Sequence, residues 1–402
     1  MSVFAGPKIS NNGLVFEYDM SNTQKSWNGA PATNLLTYSQ TFSNWQPGGT
    51  ITLEYGSQAP DNTLTATKIT NSVSSNIRNW YSVTSGSVYC FSGYVKKSTS
   101  TTILVESNTA ATGNVTFNFD TLAISASGAY SSPTVTPANY GWYRISVNIT
   151  AASTALLYIF LYGNSYATGG TSFIWGAQLE LGTYATPYIP TNDSPASRTN
   201  TQSIIDLTGN NTVTANSLTY TADNKFSFIG TGTDIGNYIS LGNPNILNFG
   251  TGNFTLSFVT NRTAFGFQGG AFISKGDGTS IGFDTRDLKF YVFGSTGLIS
   301  SIDFTTPIGV WQHHVLVFDR TVSPYITYYL NGKINSTSTV NNASNITSSI
   351  DTSRSLDIGR SQAGGINRYF NGQMPYVQIY NRALSPDEVQ QNFNAVRSRY
   401  GI

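Results

Sequence analysis

The chain has 402 residues, which is enough for more than one ordinary domain. Charged residues make up 10% of it, where about 25% is usual, and the net charge is +1. Lysine and arginine form no run or stripe, which excludes the electrostatic footprint of a nucleic-acid-binding protein. Gly, Ser, Thr and Asn dominate the polar positions and aromatic residues reach 13%, a mixture typical of many short strands joined by tight turns.

Three features bear on the compartment and on the membrane. Cys90 is the only cysteine, so the chain forms no internal disulfide, and we expect a buried structural thiol. The N-terminus lacks a basic region followed by an apolar one, which predicts no secretory signal. The longest apolar run, residues 155–162, is too short to cross a bilayer, so no membrane insertion is expected.

The opening strand and its natural successor lie far apart. Residues 9–27 contain G-L-V-F-E-Y-D followed by a Ser/Asn loop, and residues 204–211 read I-I-D-L-T-G-N-N. The first stretch resembles the opening strand of a laminin-G/concanavalin A-type β-sandwich, a family in which a D-L-T-G-N element follows directly. Here that element comes about 180 residues later. We therefore interpret residues 30–192 as a second domain inserted after the first strand, residues 1–29.

The inserted segment has the pattern of half-buried strands. Val115, Phe117 and Phe119 alternate with polar residues, and the run of residues 156–161 is apolar on both faces, as in a central strand. The phrases W-G-A-Q-L-E at 175–180 and T-P-Y-I-P-T at 186–191 resemble carbohydrate-binding-module-like jelly rolls that recur in bacteriophage virion and tail proteins. The resemblance implies a second jelly roll.

The remaining residues, 193–402, continue the first sandwich. Residues 309–319 read G-V-W-Q-H-H-V-L-V-F-D, a strand pattern of the laminin-G/concanavalin A type, and Asn331-Gly332 predicts a tight hairpin. A helix is predicted at 386–398, because Ser385 can cap it and Glu388 completes a capping box. The predicted fold is all-β: a discontinuous concanavalin A-like jelly roll, an inserted carbohydrate-binding-module-like jelly roll and one short C-terminal helix.

The sequence offers little for catalysis. Sandwich glycosidases need two carboxylates on one strand, about 5–5.5 Å apart in retaining enzymes. Of five glutamates, only Glu17 has a second carboxylate at suitable spacing, Asp19, and we interpret this pair as structural. His313 and His314 are adjacent and so point to opposite faces of a strand, which favours packing roles. We expect no enzyme activity.

Two kinds of binding site are predicted. Aromatic residues beside polar, turn-like sequence are candidate sugar platforms, although each could also be a core or rim residue: Trp45, Trp80, Tyr81, Tyr162 and Tyr166. Three aspartates in one loop region are candidate Ca²⁺ ligands, with turn capping as the alternative: Asp277, Asp284 and Asp287. No other cofactor is expected.

Three functions are compatible with these observations. The resemblances imply a virion surface protein, a tail fibre, adhesin or capsid decoration protein that contacts cell-surface glycans and other virion proteins. They also imply a homo-oligomer, with a trimer as the first expectation. The alternative is a purely architectural protein that docks on other virion subunits. The third, a polysaccharide depolymerase, is disfavoured by the missing carboxylate pair.

Overall fold

The chain folds into two compact units, one of which is formed by two separate segments of the sequence. The computed structural model describes residues 8–21, 26–71, 75–164, 169–220, 226–231, 235–266, 269–276, 281–286, 288–338, 345–362 and 365–402. One unit comprises residues 1–30 and 200–402, and the other comprises residues 31–199. We call them the discontinuous unit and the inserted unit. The first strand, β1 (Leu14–Asp19), belongs to the discontinuous unit.

The inserted unit is built from short and medium-length strands, with single turns of 3-10 helix at Phe42–Asn44 and Asn139–Gly141. Its strands are β2 (Ala32–Asn34), β3 (Gln46–Gly48), β4 (Ile51–Ser57), β5 (Ala66–Asn71), β6 (Asn76–Val83), β7 (Val88–Lys97), β8 (Thr102–Thr109), β9 (Gly113–Asn118), β10 (Ile124–Gly128), β11 (Tyr130–Pro137), β12 (Tyr143–Thr150), β13 (Ala155–Tyr162), β14 (Thr171–Leu181) and β15 (Ala196–Arg198).

Two antiparallel sheets of the inserted unit enclose one core. The first has the strand order β10-β9-β8-β13-β6-β3, and the second has the order β11-β12-β7-β14-β5-β4. Leu157 and Ile159 from the first sheet and Phe91 and Ile149 from the second are among the core residues. Alternate residues of each strand therefore point inward, as the period-two pattern predicts.

The predicted second junction at 192/193 differs from the observed bound. Residues 193–199 lie in the inserted unit, because β15, where the chain leaves this unit, pairs with β2, where the chain enters it. Ala196 lies opposite Asn34, and Arg198 lies opposite Ala32. This short ladder brings the two ends of the inserted unit together.

The W-G-A-Q-L-E phrase has a structural role. The Gln178 side chain accepts a hydrogen bond from the Ile189 backbone N–H at 2.7 Å and donates to Glu180 Oε2 at 2.6 Å. Glu180 also accepts from the Thr186 backbone N–H at 2.9 Å, and burial raises the pKa of its carboxyl. These bonds fasten the segment at 186–191 to β14, so the phrase marks a packing motif.

The discontinuous unit continues after residue 200 and has one turn of 3-10 helix at Asn245–Leu247. Its further strands are β16 (Thr214–Asn216), β17 (Thr219–Tyr220), β18 (Phe226–Ser227), β19 (Gly230–Thr231), β20 (Ile235–Gly236), β21 (Tyr238–Ser240), β22 (Phe254–Arg262), β23 (Ala271–Gly276), β24 (Gly282–Arg286), β25 (Lys289–Gly294), β26 (Gly297–Asp303), β27 (Trp311–Phe318), β28 (Ile326–Leu330), β29 (Lys333–Ser338), β30 (Leu356–Ile358), β31 (Arg360–Ser361), β32 (Arg368–Tyr369) and β33 (Gly372–Tyr380).

The first strand of the chain completes a sheet formed by the last strands. β1 is the edge of a six-stranded sheet with the order β1-β33-β22-β27-β28-β29, and Phe16 lies opposite Ile379. A seven-stranded sheet, β16-β21-β30-β23-β24-β25-β26, is the other large sheet of this unit. Phe16, Phe254 and Phe258 are fully buried in the common core. The predicted all-β sandwich architecture is confirmed.

The D-L-T-G-N-N stretch is held together by one carboxylate. Asp206 accepts hydrogen bonds from the backbone N–H groups of Glu17, Thr208, Asn210 and Asn211, at 3.0, 3.0, 3.2 and 3.0 Å. It therefore caps its own loop and ties it to β1. A carboxylate with several N–H donors is a strong local organiser.

One α-helix, α1 (Pro386–Tyr400), follows β33. The Ser385 side chain accepts from the Glu388 backbone N–H, and the Glu388 carboxylate accepts in return from the Ser385 backbone N–H. The helix ends at Gly401, whose φ of 67° is the left-handed conformation that glycine favours. It is two residues longer than predicted. Across the described residues, no helix has both the length and the apolar character needed to cross a membrane.

Candidate functional site

The outward face of the first sheet of the inserted unit carries a row of aromatic side chains. Leu157, Ile159 and Leu161 of β13 point into the core. Because side chains alternate along a strand, Tyr158, Phe160 and Tyr162 occupy the opposite face. β13 lies between β8 and β6, so this row is in the interior of the sheet and not at an edge.

Trp80 extends the row onto the neighbouring strand. It lies directly opposite Tyr158, and the two ring centroids are 5.6 Å apart. Tyr158 in turn stacks on Phe160, with ring centroids 6.2 Å apart. Trp80 is 42% exposed, whereas Phe160 and Tyr162 are buried. We refer to Trp80, Tyr158, Phe160 and Tyr162 together as the aromatic strip.

Polar side chains flank the aromatic strip on both sides. The Arg78 guanidinium carbon lies 6.0 Å from the centre of the Phe160 ring, and its Nε donates to Gln46 Oε1 at 2.9 Å. On the other side, the Tyr162 hydroxyl donates to Glu106 Oε2 at 3.0 Å. The face therefore presents a flat, partly exposed ring together with charged and amide groups.

This combination suits a sugar. One face of a pyranose ring is made of C–H groups and can stack on an aromatic ring, while its hydroxyl groups need hydrogen-bond donors and acceptors around the edge. Tryptophan offers a large flat surface at a small cost in conformational entropy. The aromatic strip with its polar border has both properties.

The structure separates the five aromatic residues predicted to bind sugar. Trp80 and Tyr162 share the outward face of the first sheet. Tyr81 points the other way and packs against the core, and Tyr166 lies outside the described residues. Trp45 is 3% exposed, packs against Phe42, and its indole N–H donates to the Tyr38 carbonyl, so its ring offers no surface to a ligand in this structure.

Sequence reasoning missed Tyr158, Phe160 and Arg78. The run at 156–161 was interpreted as apolar on both faces of a central strand, and it is indeed central. The available signal was that every second residue, Tyr158, Phe160 and then Tyr162, is aromatic. Aromatic residues at every second position mark one face of β13, and the aliphatic residues Leu157 and Ile159 mark the opposite face.

Of the three predicted Ca²⁺ ligands, only Asp284 lies among the described residues. Asp284 Oδ2 accepts from Arg286 Nη1 and from the Ser361 hydroxyl, both at 2.7 Å, and burial raises the pKa of this carboxyl. Its carboxylate is thus an ion-pair partner. Asp277 and Asp287 lie outside the described residues. In the described part of the chain, no three His, Cys, Asp or Glu side chains come together as a metal-binding group.

The Glu17 and Asp19 side chains form structural contacts. Glu17 is buried and accepts from the Tyr376 hydroxyl at 3.2 Å and from the Gln378 amide at 3.1 Å. Burial raises the pKa of the Glu17 carboxyl. Asp19 pairs with Arg399 of α1. Both carboxylates are therefore engaged within the discontinuous unit.

The two histidines and the cysteine are packed in the interior. His313 Nε2 lies 2.9 Å from the Ser257 hydroxyl, and His314 Nδ1 lies 2.9 Å from the Tyr328 hydroxyl. Burial lowers the pKa of each imidazole to about 3, so both are neutral at pH 7. Burial also raises the pKa of the Cys90 thiol to about 12, which keeps it protonated.

Comparison with known families identifies part of the discontinuous unit. Residues 230–390 match a laminin G-type family described as the concanavalin A-like lectin/glucanases superfamily. This segment is a concanavalin A-like domain. The match agrees with the resemblance seen in the sequence and with the two large sheets, and it does not extend to the aromatic strip of the inserted unit. Among curated proteins there is no match to the chain.

Similar solved structures include two neurotoxin structures at low sequence identity. A structure of botulinum neurotoxin type C, whose cell entry depends upon interaction with two ganglioside molecules, is 17% identical, with a TM-score of 0.38 over 49% of this chain and 50% of that chain. The binding domain of botulinum neurotoxin DC in complex with SialylT is 16% identical, with a TM-score of 0.38 over 49% and 50%.

A third similar structure is domain 4 of AbnA, an extracellular GH43 arabinanase from Geobacillus stearothermophilus, in complex with arabinotriose. It is 16% identical, with a TM-score of 0.34 over 47% of this chain and 91% of that chain. The chain spans about half the length of the neurotoxin structures it matches. With TM-scores below 0.5, these similarities support no conclusion about function.

Proposed function

We propose that this chain is a non-enzymatic, glycan-binding protein of a virion surface, a tail fibre, adhesin or capsid decoration protein. It attaches to host or environmental glycans through the inserted unit. The observation that carries the glycan-binding part is the aromatic strip, with Trp80 42% exposed on the outward face of β6 and with Arg78 and Glu106 at the border of the strip. The virion setting rests on the resemblance of the inserted segment to phage jelly rolls.

The exposure of Trp80 favours a ligand over a purely structural role. A large aromatic ring on a sheet face is often covered by another element, because burying it stabilises a fold by about 2–3 kcal/mol. Tyr158 packs against one part of Trp80, and Trp80 is 42% exposed to solvent. An exposed aromatic surface rimmed by polar groups is typical of interaction sites.

Weak sites of this kind work best in multiple copies. A single stacked sugar ring with a few hydrogen bonds binds weakly, and avidity then depends on several sites acting together. We therefore propose a virion-bound homo-oligomer, with a trimer as the first expectation. The net charge of +1 gives a free chain little electrostatic repulsion from its copies, which is compatible with an anchored protein.

The test of glycan binding compares two aromatic-to-alanine variants of the full chain on an oligosaccharide array. Trp80→Ala removes the exposed ring of the aromatic strip, and we expect at least a tenfold loss of signal, on the order of 1.4 kcal/mol. Tyr55→Ala is the matched control, because Tyr55 is 57% exposed on β4 of the other sheet. Its binding should equal that of the wild type.

The architectural alternative predicts a different outcome of the same measurements. An array without any bound oligosaccharide, together with tight binding to purified capsids or tails, would select a protein that only docks on other virion subunits. Mass spectrometry of purified particles and light scattering of the purified protein test the virion and oligomer proposals. A stable monomer that is never found in particles would contradict both.

A further inference from the structure

Resting on the proposed glycan-binding function, we propose that the aromatic strip selects an acidic sugar, with the Arg78 guanidinium binding the carboxylate of a uronic or sialic acid residue. Trp80 would stack on the sugar ring, and Arg78 would form an ion pair with the carboxylate of that sugar. This assigns both a ligand class and a specificity-determining residue to the site.

The placement of Arg78 relative to Trp80 carries the first step. The two residues are two positions apart on β6, so their side chains lie on the same face of the sheet. Two residues of a strand span about 6.6 Å, which is close to the width of a sugar ring and its carboxylate substituent. A ring stacked on Trp80 can therefore place a carboxylate at Arg78.

The hydrogen bonds of Arg78 carry the second step. Its Nε donates to Gln46 Oε1, and the Phe160 ring lies beneath the guanidinium, so the side chain is held in place. Among the described residues, nothing accepts a hydrogen bond from its two terminal nitrogens, and no carboxylate forms an ion pair with it. The terminal nitrogens of the guanidinium thus retain N–H donors that match the two oxygens of a carboxylate.

Three arginines that are engaged within the fold differ from Arg78 in this respect. The Arg360 guanidinium forms two hydrogen bonds to Asp357 Oδ2, and Arg382 is paired with Glu388. Arg144 donates to the Ser92 hydroxyl and to the Thr186 carbonyl. These side chains serve the folded structure itself, whereas Arg78 is half-buried on a face that also carries an exposed tryptophan.

The nearest acidic group on the face lies on the far side of the strip. In the sheet register, Phe160 lies between Arg78 on β6 and Glu106 on β8. Two strand spacings separate these backbones by about 9.6 Å. The Tyr162 hydroxyl donates to Glu106, which directs that carboxylate toward Tyr162. The Glu106 carboxylate is therefore directed away from Arg78, and an anionic group of a ligand can approach the Arg78 guanidinium.

The experiment uses the full chain and two matched ligand pairs in isothermal titration calorimetry. The pairs are trigalacturonate with its methyl ester, and sialyllactose with the methyl ester of its sialic acid carboxylate. In each pair the sugar surface is similar and the carboxylate charge differs. We expect at least one acidic member to bind about tenfold more tightly than its neutral partner, and its affinity to fall as NaCl is raised.

Three variants assign the preference to Arg78. Arg78→Gln should remove the difference in affinity between acidic and neutral ligands. Arg78→Lys should retain part of that difference, since lysine keeps the charge without the planar guanidinium. Arg354→Gln, on an exposed arginine of the discontinuous unit, changes the net charge equally and should have no effect.

The outcomes separate this inference from the proposed function. Equal affinity within both ligand pairs, with binding still lost in Trp80→Ala, would overturn the acidic-sugar inference and keep the glycan-binding function. An acidic preference that survives Arg78→Gln would overturn the role of Arg78. No binding of any ligand, together with an empty oligosaccharide array, would overturn both proposals.

Discussion

His313 and His314 are neighbours on β27 that face opposite sides of one sheet. His314 stacks among aromatic rings of the core, with Phe258 at 5.2 Å and Tyr328 at 6.0 Å between centroids. His313 lies under α1, where its ring stacks on Phe393 at 6.0 Å. Both imidazoles are neutral in the folded chain, because burial lowers their pKa to about 3. Protonation is therefore coupled to unfolding.

We expect His313→Phe to make the discontinuous unit less sensitive to acid. The imidazole pKa is near 6.5 in the unfolded chain and about 3 in the folded one. Below pH 6.5 the unfolded chain binds a proton that the folded chain does not, so the stability present above pH 6.5 is lost as the pH falls toward 3. Removing one such group should reduce this slope by about 1.4 kcal/mol per pH unit between pH 5.5 and 4.

Denaturant unfolding at a series of pH values measures this slope. Ser257→Ala is the control, because it removes the hydrogen-bond partner of His313 and leaves the imidazole able to titrate. It should lower stability with little change of slope. An unchanged slope in His313→Phe would show that this imidazole is protonated in the folded chain.

At the scale of single residues, the sequence predicts some of the site and cannot predict the rest. The aromatic character and polar neighbours of Trp80 and Tyr162 predict binding residues, and the structure brings the two side chains to one face. The same pattern predicts Tyr81, which instead points to the opposite face, because adjacent residues of a strand alternate. Which of Trp80 and Tyr81 points outward depends on the pairing of β6 with β13, and a local pattern does not contain that register.

Among the elements, α1 was predictable because its signals are local. Ser385, Pro386 and Glu388 satisfy the start of the helix by themselves. The structure adds a link that the sequence did not indicate: Arg382, which precedes the helix, pairs with Glu388 and donates to the Asn12 carbonyl at 2.8 Å. The start of α1 is thereby connected to the residues just before β1.

We expect Glu388→Gln to destabilise the discontinuous unit at pH 7 by about 1 kcal/mol, the usual size of a helix-cap effect. The hydrogen bond from Arg382 is the main cause that lowers the pKa of the Glu388 carboxyl to about 2. A carboxylate with a lowered pKa contributes its stability above its ordinary pKa near 4.5 and loses it as the pH falls toward 2. The difference between variant and wild type should therefore shrink below pH 4.5.

Thermal unfolding at pH 7 and at pH 3 tests this expectation. Asp387→Asn is the matched control, since it removes the same charge from an exposed neighbour in the same helical turn. Its effect should be smaller than that of Glu388→Gln at pH 7. Equal effects of the two substitutions would indicate that the helix start responds to net charge alone.

Across the whole molecule, the displaced D-L-T-G-N-N stretch predicted an insertion, and the structure divides the chain into two units. The sequence could not place the second junction, because β15 is three residues long and carries no distinctive alternation. Its membership of the inserted unit follows from pairing with β2, about 160 residues earlier. Contacts of such long range have no local signature in one sequence.

The division into units predicts how fragments behave. Residues 200–402 alone lack β1 and its buried side chains Val15, Phe16 and Tyr18, so we expect an aggregated or molten fragment. Loss of one large core side chain typically costs about 3–5 kcal/mol, comparable to the whole stability of a domain. Residues 1–30 joined to 200–402 should fold, and so should residues 31–199. Near-ultraviolet circular dichroism and cooperative thermal unfolding distinguish these states.

A cooperative two-state transition of residues 200–402 alone would contradict this expectation. The joined fragment is its internal control, because it restores β1 and omits only the inserted unit. If neither the joined fragment nor residues 31–199 unfolds cooperatively, the two units depend on each other for folding. Glycan binding by residues 31–199 would then add an independent measure of whether that unit is native.

The pairing of β1 with β33 can form only late in translation. About 350 residues separate the two strands, so at ribosomal rates of about 5–20 residues per second the first strand waits roughly 20 to 70 s for its partner. The inserted unit emerges whole during this interval and can close before the last strand is translated. Until then β1 is an unpaired, largely apolar segment of the nascent chain, and chaperone capture and misassembly compete with folding.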